Sequence, residues 1–314
     1  MTENKKNRIS GNSIAPEYNG FVFNVKPYNI SKGGIITLNG AAAAGKGTIA
    51  KQLKQIPGLE NILVLTCSDL LNHKTLSNDE ESRLEEMKHH FENGNDENLK
   101  NEINHYLNNS YNDKFEMSQF GILDLLRKKY GIEALNNTEK KDDIVVNFYQ
   151  TLGKLVPQNL YNKRAIQPTI EIFKQNINPQ IILDGFTRTN EQVYDMNKII
   201  KKHSTRNGID ASLFVDIETE IAVQRAIKRS LENPGARNDV DKTESRVLKY
   251  KDSVPNILSA HNELEIPSYL MTSNVAYKNM GDAAIKAFNC ENKYNNKFTI
   301  RAKRERPSGQ IIFQ

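Results

Sequence analysis

Residues 35–53 read Ile35-Ile-Thr-Leu-Asn39, then Gly40-Ala41-Ala42-Ala43-Ala44-Gly45-Lys46-Gly47-Thr48, then Ile49-Ala-Lys-Gln-Leu53. The first five are β-branched and apolar enough for a buried parallel strand. The last five place apolar residues at helical spacing. Between them lies a loop bounded by glycines and closed by a lysine. Strand, glycine-bounded loop, lysine and helix is the arrangement a phosphate-binding loop requires. Its backbone N–H groups and the positive end of the helix dipole can wrap a polyphosphate. Lys46 adds a mobile full charge, and Thr48 offers a hydroxyl to magnesium or its water. The four alanines stand where glycine or proline is common. Alanine resists φ > 0, so the loop either does without that conformation or holds it under strain.

The rest of the chain bounds the setting. It has 314 residues, net charge +5, 38% hydrophobic residues and 26% charged residues. That length suffices for a buried core without staples. The 2 cysteines, Cys67 and Cys290, exclude a disulfide framework and a four-cysteine zinc site. No apolar run approaches 18 residues, so no membrane span is expected. The first residues lack an apolar stretch of signal-peptide type, and a cytoplasmic monomer is expected. Further strands are predicted at 62–66, 180–184, 212–217 and 267–272, with helical stretches between them. Alternation of this kind predicts an α/β fold: a parallel five-stranded sheet covered by helices on both faces.

Other motifs follow in order. An apolar strand at 181–183 ends in Asp184, and Gly185-Phe186-Thr187-Arg188 and Gln192 come next. A carboxylate at the carboxyl end of a parallel strand suits magnesium-bound nucleotide. An arginine just beyond can grip a phosphate bidentately. Residues 225–250 carry Arg225, Arg229, Arg237 and Arg246 around Pro234 and Gly235. Arginines flanking a Pro/Gly loop between helices suit a segment that closes on phosphates. Gly153-Lys-Leu-Val156-Pro157 and Leu65-Thr66-Cys67-Ser68-Asp69-Leu70-Leu71 are shorter signals.

Taken together, the Gly-Lys-Gly-Thr loop, the Asp-Gly-Phe-x-Arg segment and the arginine-rich lid resemble the adenylate kinase family of nucleoside monophosphate kinases. The resemblance implies a P-loop kinase core over 34–290. It implies an acceptor-binding region at about 67–179 and a short lid at about 229–245. By this resemblance Gly40, Ala41, Ala42, Ala43, Ala44, Gly45, Lys46, Gly47 and Thr48 cradle ATP. Arg225 stacks on the donor base, and Asp184 and Thr48 hold Mg2+ through water. Lys46, Arg188, Arg229, Arg237 and Arg246 neutralise the transferring group. Cys67, Asn72, Val156, Arg188 and Gln192 form the acceptor site, with Gln192 favouring AMP. The implied reaction is reversible phosphoryl transfer from ATP to AMP, giving two ADP. Transfer to another nucleoside monophosphate and nucleotide-dependent protein interaction with weak catalysis are the alternatives.

The chain departs from the family pattern in four places. Asn72 stands where the family has an arginine, Cys67-Ser68 replace Thr-Gly, and Thr187 replaces a proline. An insertion spans about 73–150. It carries amphipathic patches on Leu84/Met87/Phe91, on Leu99/Ile103/Tyr106/Leu107 and on Leu123/Leu125/Leu126/Tyr130. Residues 73–150 hold 16 acidic residues against 10 Lys and Arg, which leaves the remainder strongly basic, as polyphosphate ligands favour. An enlarged acceptor domain, a protein partner or a neutral elaboration would each account for the insertion. Residues 1–33 are expected to form an arm, and 291–314 a basic, solvated tail. Nucleic acid is not expected as a partner.

Overall fold

The computed structural model describes residues 26–71, 76–108, 115–133, 138–175, 180–232, 240–274 and 277–291. The expected positions of Asn72, of Arg237 in the lid and of the basic tail beyond Glu291 fall outside them. Five strands form one parallel sheet, β1 (Gly34–Gly40), β2 (Leu63–Thr66), β3 (Gln180–Asp184), β4 (Ala211–Asp216) and β5 (Ser268–Thr272). Their order is β2-β3-β1-β4-β5. The strands read from the sequence lie within one residue of these bounds. Parallel neighbours require long crossovers, and helices supply them. The loop after β1 is therefore at the carboxyl edge of the sheet. Open α/β sheets hold their ligands at such a point.

The chain divides into two compact units. The first comprises the described parts of Met1–Asn61, Thr187–Asn197 and Ile209–Gln314. Here β1 pairs with β4, Ile36 opposite Ala211 and Gly40 opposite Val215. β4 in turn pairs with β5. β1 is buried along its length except at Gly40, which explains its unbroken apolar reading. Helix α1 (Lys46–Leu53) follows the loop. Helices α10 (Thr219–Glu232) and α11 (Val240–Glu263) pack on each other, and α12 (Met280–Phe288) packs on α1 and β5. Lys26 to Gly33, expected as the end of the arm, are docked in this unit. Tyr28 lies 5.8 Å from the Phe288 ring, and the Tyr269 hydroxyl donates to the Lys26 carbonyl at 2.8 Å.

A buried histidine sits in the core of this unit. His261 is 0% exposed. Its Nδ1 lies 2.9 Å from Ser268 Oγ, and its ring meets Phe214 edge-on at 5.4 Å. Nε2 has no hydrogen-bond partner among the described residues. Burial therefore pushes its pKa down from 6.5 to about 3. The unfolded chain binds this proton more readily than the folded one. The stability held by the neutral ring is complete above about pH 6.5 and is lost as pH falls toward about 3. The expected loss is on the order of 4–5 kcal/mol. Urea midpoints measured from pH 7 to pH 4 check this. His261→Phe is expected to flatten the decline, and an unchanged slope would remove His261 as its source.

The second unit comprises the described parts of Ile62–Phe186 and Lys198–Gly208. Strands β2 and β3 pair in parallel, Leu63 opposite Ile181 and Thr66 opposite Asp184. Between them run α2 (Cys67–Leu71), α3 (Asn78–Asn93), α4 (Glu97–Asn108), α5 (Phe115–Tyr130) and α6 (Thr138–Thr151). Then come α7 (Gln158–Tyr161) and α8 (Gln167–Gln175), while α9 (Asn190–His203) links β3 to β4 across the two units. The insertion is a cluster of four packed helices, α3 to α6. Leu84, Met87, Leu99, Ile103, Leu125 and Leu126 are buried in it, as their spacing predicts. Ser77 and Glu80 close a capping box at the start of α3. The fourth helix, α6, carries no amphipathic stripe because it is buried nearly all round, from Asp142 to Val146 and at Phe148, Tyr149 and Thr151.

A single π turn, Asn162–Ile166, joins α7 to α8. Gln167 N–H bonds the Asn162 carbonyl, five residues back. Pro168 has no N–H to give the carbonyl four residues before it, and widened turns commonly absorb such a break. The turn carries Arg164, which is 7% exposed.

Candidate functional site

The first unit holds the Gly40–Thr48 loop. The first hydrogen bond of α1 runs from Ile49 N–H to the Gly45 carbonyl at 3.0 Å. A helix start leaves the preceding amides without intrahelical acceptors, at the positive end of the dipole. Lys46 Nζ donates to the Gly40 carbonyl at 2.8 Å and to the Ala41 carbonyl at 3.1 Å. The ammonium is thereby folded across the loop. Gly40 packs against β4, where an added Cβ would lie 3.0 Å from the Val215 carbonyl oxygen.

Two observations on this loop concern ligand fit. A Cβ added at Gly47 would meet nothing within 4 Å. Glycine in the first turn of a helix costs about 1 kcal/mol against alanine, and no protein neighbour requires it here. The space it leaves, the helix start and Lys46 fit a polyphosphate carried with its cation. The other is Ala43, whose φ is 57°. One of the four alanines therefore takes the left-handed conformation that its side chain disfavours. Ala43→Gly is expected to stabilise the folded chain by about 1 kcal/mol, read from urea denaturation. A destabilised variant would show that the conformation is not strained.

Arg225 on α10 reaches this loop. Its Nη1 donates to the Ala43 carbonyl at 3.4 Å and to Ser273 Oγ at 3.1 Å, and its Nη2 to the Ser273 carbonyl. The edge of the guanidinium is thus engaged. Arg229 on α10 is exposed and Arg246 on α11 is half-buried. They stand on either side of residues 233–239, which lie outside the described residues together with Arg237.

The Arg188 segment also belongs to the first unit. Among the described residues no peptide bond is cis, so the bond before Thr187 is trans. Thr187 is 1% exposed, and its hydroxyl donates to Asn39 Oδ1 at 2.9 Å. Arg188 is exposed, and its backbone N–H donates to Gln192 Oε1 at 2.9 Å. Gln192 N–H reaches Thr189 Oγ1 at 3.3 Å. The Thr189/Gln192 pair is a near relative of a capping box at the start of α9. Gln192, expected to read the acceptor base, is 7% exposed and has its amide oxygen committed to the backbone.

In the second unit, Asp184 ends β3 and is 7% exposed. Cys67 opens α2 and is 2% exposed. Gly153, with φ 64°, terminates α6. Lys154 N–H bonds the Tyr149 carbonyl at 2.8 Å and Gly153 N–H the Gln150 carbonyl at 3.0 Å. These are the two bonds of a Schellman cap, and they deliver the half-exposed Val156. Asn72 lies outside the described residues. The Leu71 carbonyl just before it accepts from Arg164 Nη1 at 3.3 Å.

Asn39, Ser212, Tyr161 and Arg164 were not singled out from the sequence. Asn39 and Ser212 sit inside apolar runs and read as tolerated polar residues. The Tyr161 hydroxyl donates to the Phe186 carbonyl at 2.7 Å, a pairing that no local pattern announces.

The fold is α/β, a five-stranded parallel sheet with helices, and a glycine-bounded loop follows its first strand. No protein-family model matches the chain. The chain is 25% identical over 116 residues to an adenylate kinase of Mycoplasma mycoides subsp. mycoides SC, covering 37% of this chain and 48% of that protein. It is 26% identical over 116 residues, with the same coverage, to an adenylate kinase of Mycoplasma capricolum subsp. capricolum. It therefore spans about half the length of the curated relatives it matches. A gluconokinase from Sinorhizobium meliloti superposes on 84% of this chain and 98% of its own, at 9% identity and a TM-score of 0.35. The sequence matches support a relationship to the P-loop kinases. Among the described residues, no helix is long and apolar enough to cross a membrane.

Proposed function

We propose that this chain transfers a phosphoryl group from ATP to a nucleoside monophosphate, with AMP as the acceptor. The observation that carries this reading is the Gly40–Thr48 loop, with Lys46 folded across its carbonyls at 2.8 and 3.1 Å. The partial likeness to two adenylate kinases supports it.

In this reading the loop amides hold the donor phosphates, and Lys46 exchanges its carbonyl partners for the transferring group. Arg225 borders the donor base with its guanidinium face. Arg188, on a pinned backbone, grips the acceptor phosphate. Arg229, Arg237 and Arg246 supply positive charge as the lid closes and excludes water. Asp184 and Thr48 are each assigned a water-mediated hold on magnesium. Cys67, Asn72 and Val156 are assigned to the acceptor. Magnesium bound with ATP neutralises charge that builds on the phosphates. The protein's own work is alignment and charge stabilisation, since phosphoryl transfer asks for little covalent chemistry.

One observation favours a second reading, transfer to a different nucleoside monophosphate. Adenine presents a donor and an acceptor to a side-chain amide. Gln192 Oε1 already accepts from Arg188 N–H, which takes one of its two lone pairs and fixes the orientation the amide can offer a base. A coupled assay with ATP, magnesium and AMP, CMP, UMP, GMP or dTMP in turn decides the acceptor. ADP formation with AMP alone supports the first reading, and turnover with another acceptor supports the second. ATP binding by calorimetry without turnover on any acceptor would overturn both and leave a nucleotide-dependent interaction protein.

A further inference from the structure

A buried polar chain connects the Arg188 segment to the phosphate loop within the first unit. The Thr187 hydroxyl donates to Asn39 Oδ1 at 2.9 Å. Asn39 Nδ2 donates to Ser212 Oγ at 2.8 Å, and Thr37 Oγ1 donates to the same oxygen at 2.8 Å. Exposure is 1% at Thr187, 3% at Asn39, and 0% at both Ser212 and Thr37. Water has little access to replace any of these bonds, so each one specifies a single geometry.

The sequence neighbours of one hydrogen bond make the chain informative. Asn39 directly precedes Gly40, whose carbonyl holds Lys46 Nζ at 2.8 Å. Thr187 directly precedes Arg188, whose N–H is held by Gln192 Oε1 at 2.9 Å. Aliphatic residues at 39 and 187 would fill the same core volume without defining a register between the two segments. A donor facing an acceptor does define one, because a slip leaves a buried carbonyl oxygen without a partner.

We propose that the Thr187–Asn39 hydrogen bond is a positioning element that sets Arg188 in register with the Gly40–Thr48 loop. This rests on the phosphoryl-transfer reading above. Thr187 touches no reacting group in this proposal. It acts through Arg188, whose guanidinium must meet the acceptor phosphate in line with the donor. Small misplacements in such an arrangement cost rate far more than they cost binding.

Thr187→Val removes the donor at nearly constant shape, and Thr187→Ser keeps it. The valine variant is expected to lose about tenfold in kcat, with KM for ATP within about twofold of the wild type. The serine variant is expected to recover most of that loss. A valine variant that is less stable yet keeps wild-type kcat per folded molecule would overturn the proposal. A second readout does not need turnover. Amide hydrogen exchange at 186–192 is expected to quicken about tenfold in the valine variant while β1 stays protected. Unchanged exchange there would overturn the positioning role. Absence of turnover in the wild type with every acceptor defeats the phosphoryl-transfer reading on its own, and the exchange comparison still decides whether Thr187 sets the segment.

Discussion

Lys46→Ala is expected to lower phosphoryl-transfer turnover by about 10²- to 10³-fold while the chain remains folded. Lys46 is half-buried and bridges the Gly40 and Ala41 carbonyls at 2.8 and 3.1 Å. These two bonds tie the ammonium to its own loop. Their loss costs stability on the order of 1 kcal/mol. The cost in rate is larger. Charge spreads over the phosphoryl oxygens in the transition state, and no other lysine stands in the loop. Arginine at this position is not expected to restore the rate, since its planar fork cannot act as a compact point charge. Initial rates with saturating ATP and acceptor, beside a thermal melt of the same samples, separate the two effects. A rate within tenfold of the wild type would take Lys46 out of the transition state.

Much of this loop was legible in the sequence, because every cue was local. A buried strand, a turn bounded by Gly40 and Gly45, and a helix opening with Lys46 lie within 20 consecutive residues. The sheet was equally legible, since parallel strands buried on both faces read as short apolar runs. Legibility failed where a residue's partner is far along the chain. The dipeptide Asp142-Asp143 reads as part of an acidic, solvated insertion. The structure buries both residues on α6 and pairs them with Lys163 and Arg164, outside the insertion's bounds. The missing amphipathic stripe of α6 has the same origin, because a helix surrounded on all sides has no polar face to show. Gln192 is a third case. Its spacing from Arg188 matches a base-reading glutamine, yet Thr189 and Gln192 are also a helix-capping pair, and the cap engages its amide oxygen. The π turn at 162–166 has one local cue, Pro168, which marks a break without giving its form.

Arg164→Leu is expected to destabilise the second unit by about 3–5 kcal/mol. Arg164 is 7% exposed and Asp143 is 0% exposed. The guanidinium donates to Asp143, to the Glu139 carbonyl at 2.9 Å and to the Leu71 carbonyl at 3.3 Å. Its Nε lies 3.9 Å from Asp142 Oδ2. One side chain therefore satisfies a buried carboxylate and two carbonyls on different elements, α6 and α2. Leucine matches the volume only in part and returns none of these donors. The buried carboxylate of Asp143 would then lose its guanidinium partner, which is the costly half of breaking an internal ion pair. Lys163 on the same turn is engaged by Asp142. The double variant Arg164→Leu/Asp143→Leu removes that stranded charge. It is expected to recover about half of the loss. Urea denaturation of the wild type, both single variants and the double variant gives the coupling directly. Additive single and double effects would show that the pair contributes no mutual stabilisation. Under the proposed acceptor assignment of Asn72, the bond to the Leu71 carbonyl also bears on function, since Leu71 closes α2. A partial Arg164→Lys replacement keeps the charge but gives up the fork that reaches three acceptors at once. It is therefore expected to hold Asp143 while releasing α2, and to raise KM for the acceptor nucleotide more than KM for ATP.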